Sequence, residues 1–119
     1  MKLPFAVVTV SMLAGAAAAA PLPKPAAFAI CGVCHTSAAG APNGVGPNLW
    51  GISTRVSGTL AGYNYSPAMK AAKIKWNKAE LTTYIANPKA KVPGTKMTYA
   101  GQKDPKQEAA IVDYLLSLK

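Results

Sequence analysis

Cysteine and histidine are scarce in this sequence, which has two cysteines and one histidine, all between Cys31 and His35. A structural zinc site needs four protein ligands, and these three residues are too few. A disulfide between Cys31 and Cys34 would close a very small loop, so it would restrict the unfolded chain little and stabilise the fold poorly. A redox dithiol usually stands on a βαβ scaffold, and the sequence shows no strand pattern of any length. The common uses of paired cysteines are therefore disfavoured.

Acidic residues are also scarce, because four Asp and Glu stand against thirteen Lys and Arg, giving a formal net charge of +9. So basic a chain favours an acidic partner, which could be a protein, a membrane or a nucleic acid. Nucleic acid is the weakest candidate, since twelve of the thirteen basic residues are lysines and no arginine-rich or aromatic-basic binding module is visible.

Long apolar runs are missing apart from one near the amino terminus. That run covers about residues 3–14, follows Lys2 and precedes the small residues of "GAAAAAP". This layout is typical of a secretory signal peptide. The alternative is a membrane anchor, but the run is too short to cross about 30 Å of hydrocarbon as a helix. We expect a signal peptide over residues 1–20, cleaved near Ala19–Ala20, one domain over residues 21–119, and export to a bacterial periplasm without stable membrane insertion.

Helix signals, in contrast, occur at four places. A first helix is expected from about Pro25 into the cysteine motif, a second from Ser66 to about Lys73, a third from Asn77 to Asn87, and a last one from Asp104. Residues 36–65 and 89–101 read as loops, and loops of such length are unusual unless they enclose something. About four short helices give a domain of this size a marginal core. The predicted fold is therefore all-α, built around a large apolar cofactor.

The motif C-x-x-C-H, present as "CGVCHTS", is the attachment signature of c-type haem. Each thiol would form a thioether with one vinyl group of the porphyrin, and His35 would bind the iron. Attachment consumes Cys31 and Cys34, which explains why an exported chain would not use them for a disulfide. The motif therefore predicts one covalently bound haem c.

A six-coordinate haem iron needs a second axial ligand, and methionine is the leading choice because His35 is the only histidine. After the expected signal peptide only Met69 and Met97 remain. Met69 falls within a predicted helix, where a packed or surface side chain is the ordinary interpretation. Met97 lies in a loop shaped by Pro93 and Gly94, so the spacing favours Met97 while leaving Met69 open.

The chain resembles the class I c-type cytochromes, the small monohaem kind, in the mitochondrial cytochrome c and bacterial short-loop layout. The resemblance covers residues 26–119 and follows six motifs in family order. They are "CGVCHTS", "GPNLWG", "GYNYSPAM", "KIKW", "YIANPKAKVPGTKM" and "AAIVDYLLSLK". It implies the cytochrome c fold and makes Met97 the second iron ligand. Many family members have a glycine where this chain has Pro23, which implies a short first helix. Tyr99 stands where the mitochondrial type has phenylalanine.

The resemblance also implies roles for residues around the haem. Pro47 would accept a hydrogen bond from the His35 ring, and Tyr84 would lie near the Met97 sulfur. Packing of Phe28 and Ile30 against Ile111, Tyr114 and Leu115 would join the first and last helices. The residues expected near a haem propionate are Arg55, Tyr63, Tyr65, Trp76 and Thr95.

Histidine–methionine ligation leaves no open position on iron, which implies a one-electron carrier rather than an enzyme. Redox partners with acidic docking surfaces are expected, such as a quinol-oxidising cytochrome complex, a terminal oxidase, a reaction centre or a dehydrogenase. The candidate docking lysines are Lys70, Lys73, Lys89, Lys91, Lys96 and Lys103. Two alternatives stay open: a haem subunit docked permanently on a dehydrogenase, and a peroxidase or gas-binding haem protein.

Overall fold

Five short α-helices, joined by long loops, make up the regular structure of the protein in a computed structural model that describes residues 2–12, 15 and 19–119. The helices are α1 (Ala29–Gly32), α2 (Pro67–Ala72), α3 (Lys78–Ala86), α4 (Pro88–Lys91) and α5 (Pro105–Leu116). Two single 3-10 turns, Ala26–Phe28 and Ile52–Thr54, complete it. Over the described residues there is no β-strand, only one isolated antiparallel bridge between Val56 and Lys75. The all-α prediction is confirmed.

The predicted helix starts are confirmed by their caps. Ser66 Oγ accepts from the amide of Met69 at 3.1 Å, and Asn77 Oδ1 accepts from the amide of Glu80 at 2.9 Å. At Asp104 one carboxylate oxygen accepts two amide hydrogens of the first turn of α5. Each side chain thus satisfies donors that the first turn of a helix leaves unpaired. Proline follows Ser66 and Asp104 directly, at a position that needs no amide hydrogen.

Two helical pieces were not predicted from the sequence. Asn87 ends α3 and also caps α4, because its side chain accepts from the amide of Ala90 at 3.2 Å. Pro88 occupies the first turn of α4, so a proline read as a helix stop also starts the next helix. The turn Ile52–Thr54 lies inside the stretch read as loop, and Ile52 is buried there.

The core lies where the first and last helical segments cross. Phe28 and Tyr114 pack edge to face with ring centroids 4.8 Å apart, and Ile111 and Val112 are fully buried. Ser37 and the Tyr114 hydroxyl form a buried hydrogen bond of 3.1 Å across this contact. Ile30 departs from the expected packing: it is 55% exposed and lies at the cavity described below. The first helix is indeed short, beginning after Pro25.

The loop that carries Met97 is attached to the carboxyl end of α3. Gln102 donates its amide hydrogen to the carbonyl of Ile85 at 2.9 Å, and the Lys103 ammonium donates to the carbonyl of Ala86 at 2.7 Å. A cation is favourable at the negative end of a helix. Gly101 lies against the same Ala86 carbonyl, which leaves no room for a Cβ atom at this position. Its φ of +117° is also one that residues with a side chain rarely adopt.

The expected signal peptide remains a prediction. Residues 2–12 have no regular secondary structure and are exposed, whereas residues 1, 13, 14 and 16–18 lie outside the described residues. Across the described part of the chain, no helix has the length and apolar character to span a membrane.

Candidate haem site

A cavity of about 460 Å³ brings the predicted haem ligands together. Cys31 and Cys34 enter it from α1 and the residue stretch after it, His35 follows them, and Met97 enters from the loop after α4. Most of the wall is apolar, with the buried residues Phe28, Ile52, Leu81, Ile85, Ile111 and Leu115. Its volume falls in the range of cofactor sites in proteins, about 300–1,000 Å³. The two thiols are free of a disulfide.

His35 is oriented by one short hydrogen bond. Its Nδ1 lies 2.7 Å from the carbonyl oxygen of Pro47. A carbonyl oxygen can only accept, so Nδ1 carries the hydrogen and Nε2 keeps its lone pair. Burial lowers the pKa of His35, because it disfavours the imidazolium, and the Pro47 bond opposes this only in part. A neutral ring with Nε2 free is the form that binds a metal.

Gly46 lies directly against the same ring. A Cβ atom at this position would lie 2.7 Å from Nδ1 of His35 and 2.9 Å from Nε2. Sequence reasoning overlooked this residue, although the glycine-rich run "NGVGP" before the predicted carbonyl partner was a usable signal. The absence of a side chain at Gly46 lets the backbone approach the imidazole closely.

The second candidate ligand, Met97, is partly buried and lies beside a polar pair. Tyr84 and Thr95 share a hydrogen bond of 2.9 Å between their hydroxyl oxygens, and the amide of Met97 donates to Thr95 Oγ1 at 3.3 Å. Burial raises the pKa of Tyr84, so its phenol remains protonated. Met69 also reaches the cavity, from α2, but belongs to the buried core, with 9% exposure.

The residues expected near a propionate all line the cavity. Tyr63 and Tyr65 pack edge to face at 4.8 Å, and Trp76 lies 5.1 Å from Tyr84 between ring centroids. Arg55 donates to the carbonyls of Asn48 and Trp50, at 2.8 and 3.3 Å. Tyr63 already donates its hydroxyl hydrogen to the carbonyl of Val45 at 2.8 Å.

Three further groups of this site have pKa values moved by burial. Burial lowers the pKa of Arg55, partly offset by Tyr65, and it raises the pKa of Tyr65 itself. Burial also raises the pKa of the Cys31 thiol. By its chemistry the wall offers one cationic donor, Arg55, and the neutral donors Tyr65, Trp76 and Thr95, a set suited to a carboxylate.

Another cavity, of about 610 Å³, lies between residues 19–22 and the end of α5. Among the described residues that line it there is no cysteine, histidine or methionine. The chemistry-bearing residues thus belong to the 460 Å³ cavity.

Comparison with known proteins decides the family. A family model described as Cytochrome c matches residues 25–119. The chain is a class I c-type cytochrome. Cytochrome c2 of Rhodoplanes tepidamans is 50% identical over 88 residues, which cover 74% of this chain and 82% of that protein. Cytochrome c-550 of Nitrobacter winogradskyi is 55% identical over 78 residues, covering 66% of this chain and 72% of that protein.

A solved structure confirms the fold of this cytochrome. Cytochrome cH from Methylobacterium extorquens superposes with a TM-score of 0.71 at 42% identity, covering 76% of this chain and 91% of that one. The predicted family and fold are confirmed. The cytochrome carries one covalently bound haem c, with Cys31 and Cys34 in its attachment motif, and it is an electron carrier rather than an enzyme.

Proposed function

We propose that this cytochrome carries electrons in a bacterial periplasm, with haem fastened to Cys31 and Cys34 and iron bound by His35 and Met97. The main support is that one apolar cavity gathers these four side chains from distant parts of the chain. Haem c supplies a one-electron Fe(II)/Fe(III) couple, and thioether ligation favours Fe(II).

The chain's own residues prepare both ligands. Pro47 holds the His35 ring in the tautomer that leaves Nε2 available. The Thr95 hydroxyl fixes the backbone of Met97 by accepting from the Met97 amide, and it is itself held by a hydrogen bond with the Tyr84 hydroxyl. Together these contacts keep both iron ligands in place, so that a change in oxidation state needs little rearrangement. If His35 and Met97 both bind the iron, no coordination position is left for a substrate.

The polar part of the wall would hold the haem propionates by hydrogen bonds and one positive charge. Arg55, Tyr65, Trp76 and Thr95 present donors, and a buried carboxylate without such donors would be costly. Tyr63 acts differently from the others, because its hydrogen is committed to Val45 and its ring packs on Tyr65.

A matched pair of variants tests the assignment of Met97. Met97→Leu removes the thioether from the partly buried loop, whereas Met69→Leu removes it from the core with a similar change in volume, a type of swap that usually costs less than about 1.5 kcal/mol. We expect reduced Met97→Leu to bind carbon monoxide at neutral pH, while the wild type and Met69→Leu do not. Carbon monoxide binding by Met69→Leu alone would assign the ligand to Met69. Tight binding by the wild type would favour a gas-binding or peroxidase function.

Electron exchange also needs a docking surface, and the structure divides the candidate lysines. Lys91 pairs with Glu80 at 2.6 Å, and Lys96 and Lys103 donate to the carbonyls of Asn64 and Ala86. The three others are exposed, and their ammonium groups form no hydrogen bond or ion pair with another described residue: Lys70, Lys73 and Lys89. We assign the leading role in steering an acidic partner to these three, because free ammonium groups contribute to long-range attraction without rearranging the fold.

Reduction kinetics with a purified quinol-oxidising cytochrome complex test this docking surface. Lys73→Gln and Lys89→Gln should slow the bimolecular rate and weaken its dependence on ionic strength. Lys119→Gln carries the same charge change at the other cavity and serves as the control. Equal rates for all three variants, or a salt-independent wild type, would remove steering from the proposal. Size-exclusion of native material separates a free carrier from a permanently docked subunit.

A further inference from the structure

The peptide group between Pro47 and Asn48 has both of its polar atoms in use. Its carbonyl accepts from Nδ1 of His35 at 2.7 Å, and its N–H donates to Oδ1 of Asn43 at 2.8 Å. The two hydrogen bonds therefore form one chain, from the Asn43 amide through a single peptide plane to the imidazole.

This peptide is held from several sides. The Asn48 side chain donates to the carbonyls of Ala38 and Ala41, both at 2.9 Å, and accepts from the amide of Trp50 at 2.9 Å. Arg55 donates to the carbonyl of Asn48 at 2.8 Å. Asn48 is only 8% exposed. The plane therefore cannot readily turn to replace Asn43 by another acceptor.

Hydrogen bonds in a chain polarise one another, with a strengthening of roughly 10–30% per bond. An acceptor on the Asn48 N–H increases the negative charge on the Pro47 oxygen. That oxygen then attracts the Nδ1 hydrogen of His35 more strongly and raises the electron density of the ring. A more electron-rich imidazole stabilises Fe(III) over Fe(II).

We propose that Asn43 is a positioning residue that lowers the reduction potential of the haem iron through the Pro47–Asn48 peptide and the His35 ring. The inference rests on the proposed function in one respect, the assignment of His35 as an iron ligand. Asn43 itself lies outside the lining of the cavity, so it acts only through the peptide.

Two substitutions at position 43 change the strength of the acceptor for the Asn48 N–H in opposite directions. Asn43→Ala removes it, and Asn43→Asp replaces it with a stronger, charged acceptor of nearly the same shape. A carboxylate also lowers the potential by its charge alone, so Ala39→Asp supplies the control. Ala39 is exposed on the same loop. It takes no part in the hydrogen bonds that hold the Pro47–Asn48 peptide. The readouts are the midpoint potential of the holoprotein and the NMR chemical shift of the His35 Nδ1 hydrogen in the reduced protein.

We expect Asn43→Ala to raise the potential and move the Nδ1 hydrogen upfield. Asn43→Asp should lower the potential by more than Ala39→Asp does and move the same hydrogen downfield. A purely structural role would lower the unfolding temperature without giving shifts of opposite sign. Should Asn43→Ala fail to fold, the comparison of Asn43→Asp with Ala39→Asp decides alone.

The inference is overturned if Asn43→Ala has the same midpoint potential as the wild type and its His35 Nδ1 hydrogen does not move. It is also overturned if Asn43→Asp and Ala39→Asp change the midpoint potential equally. Failure of the proposed ligation would show instead in the wild type, as carbon monoxide binding and a visible spectrum without histidine–methionine ligation. The two failures are therefore distinguishable.

Discussion

Gly46→Ala is the substitution that most directly tests how the chain holds its histidine. The new Cβ would lie 2.7 Å from Nδ1 of His35, about 0.7 Å inside the 3.4 Å at which ordinary van der Waals contact begins. The three nearest atoms all belong to the partly buried His35 ring, so the loop or the ring must move. A shift of that size along the His35–Pro47 bond would lengthen it from 2.7 Å to about 3.4 Å, outside the usual range of 2.7–3.2 Å, and would weaken or break it.

Gly46→Ala should lower the free energy of unfolding for two reasons. Overpacking a buried position costs about 1–3 kcal/mol, and a lost hydrogen bond costs about 0.5–1.5 kcal/mol. Together they predict that the free energy of unfolding falls by about 1.5–4.5 kcal/mol. A fall of about 2 kcal/mol lowers the unfolding midpoint of a domain of this size by roughly 8–16 °C. Since the ring would also lose its carbonyl partner, the reduction potential should rise.

Thermal unfolding of the ferric holoprotein and a redox titration measure both effects. Gly32→Ala is the matched control, because a Cβ there meets nothing within 4 Å and the residue ends a helix with ordinary φ. We expect Gly32→Ala to unfold and titrate as the wild type does. If Gly46→Ala unfolds within a degree or two of Gly32→Ala, the close packing of Gly46 on His35 does not hold the site.

Three more predictions follow from the packing. Gly101→Ala should destabilise the protein by at least about 1–3 kcal/mol in chemical denaturation, because its φ of +117° and the Ala86 carbonyl both oppose a Cβ; an unchanged midpoint would contradict this. Ser37→Ala should cost about 1–3 kcal/mol by leaving the buried Tyr114 hydroxyl unpaired, and Ser37→Ala with Tyr114→Phe should cost less than the sum of the single changes in a double-mutant cycle. The raised pKa of Tyr84 contributes stability that is fully present below pH 10.0, where the unfolded phenol titrates, and is lost as pH rises through the folded value. The fall in unfolding free energy between about pH 8 and about pH 10.5 should be smaller in Tyr84→Phe than in the wild type, and an identical fall would exclude this phenol as a cause.

The sequence alone determined the cofactor and most helix starts of this cytochrome. Both are local properties: the C-x-x-C-H motif occupies five consecutive residues, and the caps Ser66, Asn77 and Asp104 act within their own first turns. The family was also within reach, because six motifs keep their order along the chain.

Only the tertiary structure decided which distant residues share a role. It showed that Met69 and Met97 both reach the cavity, that Gly46 packs on His35, and that three of the candidate docking lysines are engaged in bonds. It also placed Asn43 behind the Pro47–Asn48 peptide. Such contacts depend on how loops without hydrophobic periodicity fold back on one another, and spacing along the chain does not encode that arrangement.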